Sequence, residues 1–157
     1  QGDLEFLDIV KKMGARIEYL SNSIKVSKKN KLKGATVDCS NIPDAAMTLA
    51  ILALFAEGST TLKSIGSWRV KETDRILAMQ TELTKLGASV KSSKNSLTIK
   101  PPKIINNNIT INTYDDHRMA MCFSLICLAN KNIIINDPDC TNKTYPNFFK
   151  DLGSILS

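Results

Sequence analysis

The sequence is poor in aromatic residues, in histidine, in long apolar runs and in glycine-rich loops. Aromatics make up 6% of the 157 residues, so the core has to rest on aliphatic packing. The longest apolar run, Leu49 to Ala56, is eight residues. That is far short of the ~18 to 20 needed to cross a bilayer as a helix. The opening residues, Gln1-Gly2-Asp3-Leu4-Glu5, are acidic and carry no apolar signal stretch and no initiator Met, which reads as a chain processed or cut from something longer. No G-x-G-x-x-G or Walker pattern occurs, so a nucleotide-binding phosphate loop is excluded. The four cysteines, Cys39, Cys122, Cys127 and Cys140, form no C-x-x-C pair, and there is one histidine. A zinc or redox centre therefore has few ligands to draw on, no metal is expected, and the thiols read as reduced and cytosolic.

What is present is ordinary in bulk. Hydrophobic residues are 43% and charged residues 23%, as in a folded globular chain with one core. Lys and Arg number 21 against 15 Asp and Glu, a net charge of +6. Such an excess suits nucleic acid, an anionic surface or a small anionic substrate.

The chain repeats itself. Lys12-Met13-Gly14-Ala15 recurs as Lys85-Leu86-Gly87-Ala88, and Ser23-Ile24-Lys25-Val26 as Ser96-Leu97-Thr98-Ile99, both 73 residues on. Asp44-x-x-Met47 recurs as Asp116-x-x-Met119, and Lys71 falls on Lys143, both 72 residues on. Asp151-Leu152-Gly153-Ser154 begins a partial third copy. Common order and near-constant offset mark a tandem duplication.

Periodicity predicts the unit. Apolar residues at 4, 6, 7, 9, 10 and 13 make a helical stripe closed by Gly14. A hairpin over 16–20 and 23–27 follows, then a strand at 36–39, a helix from Asp44 to Glu57 and a strand at 60–65. The second copy predicts a helix over 72–86, a hairpin over 89–100, a strand at 109–111, a helix over 116–130 and a strand at 132–136. A closing helix is expected at 145–155. The expected organisation is a single partial domain over 1–157, with repeat units at about 1–70 and 71–144.

Charged residues gather at helix starts. In Ser67-Trp68-Arg69-Val70-Lys71-Glu72-Thr73-Asp74-Arg75, Lys71 and Arg75 are expected on one face of a first helical turn. Cations there oppose the helix dipole, and a bound anion would reverse that cost. A solvated helix start, with Arg75 paired to Glu72 or Asp74, explains the same pattern. Asp115-Asp116-His117-Arg118 opens the equivalent helix of the second copy, with Asp116 as N-cap and His117 able to move protons near neutral pH. Asp44 opens the matching helix of the first copy and reads equally as a plain first-turn acid. Lys143 sits in a polar loop, singled out only by its register with Lys71. Together these acids, cations and imidazole suit holding a phosphate and a carboxylate while moving protons.

Four segments carry a family resemblance. Ile42-Pro43-Asp44-Ala45-Ala46-Met47-Thr48, Trp68 to Arg75, Tyr114-Asp115-Asp116-His117-Arg118-Met119-Ala120-Met121 and Asp137-Pro138-x-Cys140-x-x-Lys143-Thr144 resemble, in order, motifs of the 5-enolpyruvylshikimate-3-phosphate synthases. The resemblance implies transfer of the enolpyruvyl group of phosphoenolpyruvate to the 5-hydroxyl of shikimate 3-phosphate, with release of phosphate and no metal or organic cofactor. It implies an α/β (α+β) fold of tandem βαβαββ units, three per domain, of which about two are present here. The chain then resembles a C-terminal fragment, inactive alone, whose partner is the missing N-terminal domain of a cytoplasmic, monomeric parent.

Carried over by position, Asp44 resembles the carboxylate at the target hydroxyl, a candidate base. Glu72 resembles the acid that handles the methylene proton. Lys71 lies near both substrates. Arg75 and Arg118 resemble the cations that clamp phosphoenolpyruvate, with His117 beside them and Lys143 as a further anchor. Ser67 stands where the family often has Asn on the shikimate-phosphate side. Two alternatives stay open. One is the sister UDP-N-acetylglucosamine enolpyruvyl transferases, which share the fold but not this motif set. The other is a βαβ-type nucleic-acid-binding module, against which stand the few aromatics and the scattered basic residues. A purely structural repeat would leave the cations with no ligand.

Overall fold

The computed structural model describes residues 4–156, so the reading of Gln1-Gly2-Asp3 lies outside the described residues. The first copy runs α1 (Glu5–Lys12), β1 (Ala15–Tyr19), β2 (Ile24–Lys28), β3 (Thr36–Asp38), α2 (Ala46–Leu52) and β4 (Thr60–Lys63). The second runs α3 (Arg75–Lys85), β5 (Ser89–Ser92), β6 (Leu97–Lys100), β7 (Ile109–Asn112), α4 (His117–Ser124) and β8 (Ile133–Asn136), and α5 (Phe148–Ser154) follows. The order of helices and strands is identical in the two copies.

The repeat extends to the backbone hydrogen bonds. Gly14 N–H donates to Lys11 O and Gly87 N–H to Thr84 O, each at a helix end where φ is positive, +120° and +95°. A side chain is disfavoured in that conformation, which is why glycine recurs there. The hairpin turns close the same way, Leu20 N to Ser23 O and Ser93 N to Ser96 O, both at 2.9 Å.

Strands assemble as β3-β4-β6-β5, with β3 and β4 parallel and the other pairs antiparallel, and as two separate pairs, antiparallel β1-β2 and parallel β7-β8. In the four-stranded sheet Leu62, Leu97 and Ile99 are buried while Lys63 and Lys100 are exposed, the alternation of a sheet covered on one face. Against it lie α2 and α3, while α4 packs on α2 and on the β7-β8 pair; Ala46, Met47, Leu49, Ala50, Met79, Leu83, Met119 and Phe123 of these helices are fully buried. Thr48 Oγ1 and Cys122 Sγ meet at 3.5 Å between α2 and α4. One continuous apolar core runs from Ile9 to Ile126 and draws on both copies.

Element existence follows the sequence expectation, but several helix ends do not. The helix expected from Glu72 begins at Arg75, because Asp74 accepts from Leu77 N–H at 3.1 Å and caps it there. Lys71 and Glu72 precede the helix, so Lys71 and Arg75 do not share a helical face. The helix expected from Asp44 begins at Ala46 and gives way to a 3-10 turn at Ala53–Phe55. Asp44 therefore caps nothing, and Ala45 at the N-cap makes no side-chain bond. The helix over 116–130 is α4 followed by a 3-10 turn, Leu125–Ala129, and Asp116 is its N-cap as expected. The closing helix is shorter than 145–155 and continues through Gly153.

Candidate active site

The site is built where the starts of α2, α3 and α4 meet. Two local devices bring them together. Trp68, fully buried in a 3-10 turn at Gly66–Val70, donates its Nε1–H to Pro43 O at 2.7 Å. That bond pins the residue before Asp44 to the segment before Lys71. Arg69 donates to Lys94 O, Ser93 O and Asp74 Oδ2 at 3.0, 2.7 and 2.8 Å, tying the same turn to the β5–β6 hairpin and to the α3 cap. Trp68 and Arg69 thus anchor the segment that carries Lys71 and Glu72.

Arg75 is the centre of the constellation. Its side chain is 1% exposed. The guanidinium donates from Nε and Nη2 to Asp116 at 2.7 and 3.2 Å, from Nη1 to Asp44 Oδ1 at 2.9 Å and from Nη2 to Glu72 Oε2 at 2.7 Å. Those four bonds leave one N–H, on Nη1, of the five a guanidinium carries. A buried cation is tolerable only with such compensation. Burial works to lower the Arg75 pKa, and the Asp116 bonds together with Glu72 and Asp44 more than reverse it, so the group is held above its ordinary value.

Asp44 gathers three cations. Besides Arg75, it lies 3.6 Å from Lys71 Nζ and 3.3 Å from Arg118 Nη2. Lys71 and Arg118 keep 35% and 38% of their side chains exposed, so they face solvent from a partly shielded cluster. The acids Asp44, Glu72 and Asp116 and the cations Lys71, Arg75 and Arg118 balance in charge.

His117 is the first residue of α4 and is buried. Its Nδ1 lies 3.7 Å from Glu72 Oε1, too long for a hydrogen bond, and finds no other hydrogen-bond partner among the described residues. Burial pulls the imidazole below its ordinary pKa. Asp116 and Glu72 act in the opposite sense, while Arg118 and Arg75 add to the lowering. The ring is therefore neutral at neutral pH. The ligand atoms of Glu72, Asp116 and His117 lie within 4.8 Å of one another, a spacing compatible with a metal ion. Arg75 already donates to both carboxylates, so the charge a metal would balance is met by a guanidinium.

The sequence-expected residues divide accordingly. Asp44, Lys71, Glu72, Arg75, His117 and Arg118 come together. Lys143 is docked alongside: its Nζ donates to Asp115 O at 3.0 Å, beside the α4 cap. It follows a 3-10 turn, Pro138–Thr141, as Lys71 follows Gly66–Val70, so the repeat register holds in space. Ser67 lies in the 66–70 turn and is not bonded into the cluster. Sequence reasoning treated Asp116 only as a cap and missed it as the main partner of Arg75. Its signal was a second consecutive acid at the start of an apolar helix, where only one is needed as a cap.

A cleft of about 280 Å³ opens beside the cluster, lined by Thr48, His117, Arg118, Cys122, Thr144 and Phe148. A larger cleft of about 560 Å³ lies between β8 and α5 and is lined by Ile133, Ile135, Phe149 and Leu152, away from the ion network. Among the described residues no helix is long and apolar enough to cross a membrane.

A protein-family model described as EPSP synthase (3-phosphoshikimate 1-carboxyvinyltransferase) matches residues 1–152. The 3-phosphoshikimate 1-carboxyvinyltransferase of Shewanella baltica (strain OS195) is 50% identical over 155 residues, 99% of this chain and 36% of that protein. The protein of the same name from Buchnera aphidicola subsp. Cinara cedri (strain Cc) is 52% identical over 99% of this chain and 35% of its own length. The chain thus spans about a third of the length of these relatives. An EPSP synthase structure from Acinetobacter baumannii superposes with a TM-score of 0.76 at 28% identity, covering 90% of this chain and 36% of that one. The enolpyruvyl transferase NikO from Streptomyces tendae superposes with a TM-score of 0.76 at 18% identity, over 96% of this chain and 34% of that one, a likeness of fold alone.

Proposed function

This chain belongs to the EPSP synthase family, and from that premise we propose that it is part of an enzyme that transfers the enolpyruvyl group of phosphoenolpyruvate to the 5-hydroxyl of shikimate 3-phosphate and releases phosphate. The observation that carries the proposal is the convergence of three separate segments on one cluster: Asp44, Glu72 and Asp116 on the buried Arg75 guanidinium, Lys71 and Arg118 on Asp44, and His117 beside Glu72.

The reaction adds a hydroxyl across the double bond of an enol phosphate and then eliminates phosphate to leave an enol ether. The attacking oxygen must lose a proton, and the methylene carbon must gain one and later return it. Asp44, one-third exposed and facing three cations, is placed to accept the hydroxyl proton. Glu72 handles the methylene proton, and neutral His117 beside it can relay that proton. Lys71 and Arg118, both facing solvent, engage the carboxylate and phosphate of phosphoenolpyruvate, and Lys143 extends the cationic rim. Their fixed positive charge balances the charge that develops as phosphate departs. Arg75 contributes at most its remaining N–H to the ligand; its main task is to fix Asp44, Glu72 and Asp116 in place. Ser67 offers a hydroxyl toward the shikimate phosphate. None of these steps calls for a metal or organic cofactor.

The chain acts as the C-terminal part of one domain, partnered by the N-terminal remainder of a cytoplasmic, monomeric parent. The decisive experiment mixes the 157-residue chain with the N-terminal part of the Shewanella baltica relative and follows phosphate release from phosphoenolpyruvate and shikimate 3-phosphate. Turnover is expected from the mixture and lost with Glu72→Gln or Arg118→Ala. Full turnover by the chain alone would overturn the partial-domain reading, and a folded complex without turnover would overturn the activity.

A further inference from the structure

The acid–cation cluster depends on a turn that is costly to form. Between β7 and α4, Tyr114 and Asp115 are consecutive non-glycine residues in the left-handed region, with φ of 56° and 54°. Such residues persist only where the surroundings over-determine them. The next three residues are Asp116, His117 and Arg118, so any drift of the turn moves the site.

A buried carboxylate holds that turn. Glu82 lies on α3, seven residues beyond Arg75, and is fully buried. It falls in the inner stripe of the helix with Met79, Leu83 and Leu86, where a charged group is unexpected. Its Oε1 accepts from Tyr114 OH at 2.7 Å, and its Oε2 accepts from Asn112 N–H at 3.2 Å. Lys85 Nζ donates to both oxygens, at 2.9 and 2.7 Å, and also to Thr110 O at 3.3 Å. Glu82 thus grips the end of β7 and the first left-handed residue, while Arg75 on the same helix grips Asp116 just after the turn. Burial and Glu82 push the Tyr114 phenol up to about 12, so it remains a donor at any working pH.

We propose that Glu82, acting through Tyr114, is a positioning residue that sets where His117 and Arg118 stand relative to Glu72 and Asp44. Neither side chain enters the chemistry proposed above. The assignment takes the cluster as the site of the proposed transfer, but its test requires no turnover.

His117 is the single histidine of the chain, so its imidazole signals are unique in a proton NMR spectrum. The charged groups facing it are Glu72, on the segment before α3, Arg75 on α3, and Asp116 and Arg118 at the start of α4. The experiment titrates His117 in the 157-residue chain, in Tyr114→Phe, in Glu82→Gln, and in Ile17→Ala as a destabilised control remote from the turn. Tyr114→Phe removes one hydroxyl and keeps the ring, so the protein stays folded. The expected result is a changed His117 chemical shift and a titration midpoint moved up toward the ordinary imidazole value in Tyr114→Phe. Glu82→Gln, which keeps an acceptor for the phenol, should move it less, and Ile17→Ala should leave it unmoved. An unchanged His117 in folded Tyr114→Phe and Glu82→Gln, or an equal change in Ile17→Ala, overturns the proposal. A failed transferase assay leaves these outcomes readable.

Discussion

Arg75 and Asp116 form an ion pair in which both side chains are withdrawn from solvent, with Nε to Oδ2 at 2.7 Å and Nη2 to Oδ1 at 3.2 Å. The pair joins the first residue of α3 to the N-cap of α4. Removing Arg75 strands the Asp116 carboxylate in the core, and removing Asp116 leaves the buried Arg75 Nε–H without its acceptor. Asp116→Ala or Arg75→Ala should therefore cost about 3–5 kcal/mol in urea-unfolding experiments. Asp116→Asn keeps the cap acceptor and should cost less. The double replacement Arg75→Met with Asp116→Leu should recover part of the single-variant loss. Purely additive losses would mean that the two do not act as a pair.

Stability should fall with acidity in a window set by His117. Its folded pKa is depressed, so between that value and the unfolded value near ~6.5 the unfolded chain binds more protons. The stabilising contribution is complete above the unfolded value and declines as pH drops below it, by at most about 1.4 kcal/mol per pH unit for one proton. Chemical denaturation between pH 7.5 and 5.5 should reveal the decline, and His117→Gln should flatten it. A slope unchanged in that variant would assign the effect elsewhere.

The thiols should differ sharply in reactivity. Cys39, Cys122 and Cys140 are buried, and burial pushes the Cys39 thiol up to about 11 and raises those of Cys122 and Cys140. Cys127, in the turn after α4, is half-exposed. A thiol reagent at pH 8 should label Cys127 first in the folded chain, with Cys39 and Cys122 reacting only on unfolding. Rapid labelling of Cys122 would contradict the packing of α2 on α4.

Gly34 should not tolerate a side chain. Its amide donates to Glu57 O at 2.7 Å, and a Cβ built there would stand 2.3 Å from Ser59 O. The obstacle is backbone, which cannot swing aside. Gly34→Ala should lower stability by at least about 1 kcal/mol, with a drop in Tm of a few degrees. Gly58→Ala is the useful contrast, since nothing lies near its Cβ and only its positive φ of 85° opposes the change.

Much of the molecule was legible in the chain because local signals act over a few residues. The 73-residue offset predicted two copies with the same element order, and their turn hydrogen bonds repeat at that offset. Apolar periodicity located the five helices and eight strands of the described residues, and Asp116 was readable as a cap from its place before an apolar run. Helix ends were less legible because competing caps sit close together. Asp74 won over the residues before it by bonding Leu77 N–H, and that choice moved Lys71 and Glu72 out of the helix.

The sequence by itself determined which residue types stand at the helix starts, and hence that acids and cations would share that end of the fold. Only the tertiary structure decided who pairs with whom. Asp44 and Asp116 lie 31 and 41 residues from Arg75 along the chain, and no local rule connects them. The reason is the cost of burial. Once α2, α3 and α4 pack, a guanidinium at their junction has no water to bind, so the carboxylates that the helices bring with them must satisfy it. Glu82 in an apolar stripe carries the same lesson: its sequence signal is a charge out of place, and its partner Tyr114 is known only after folding.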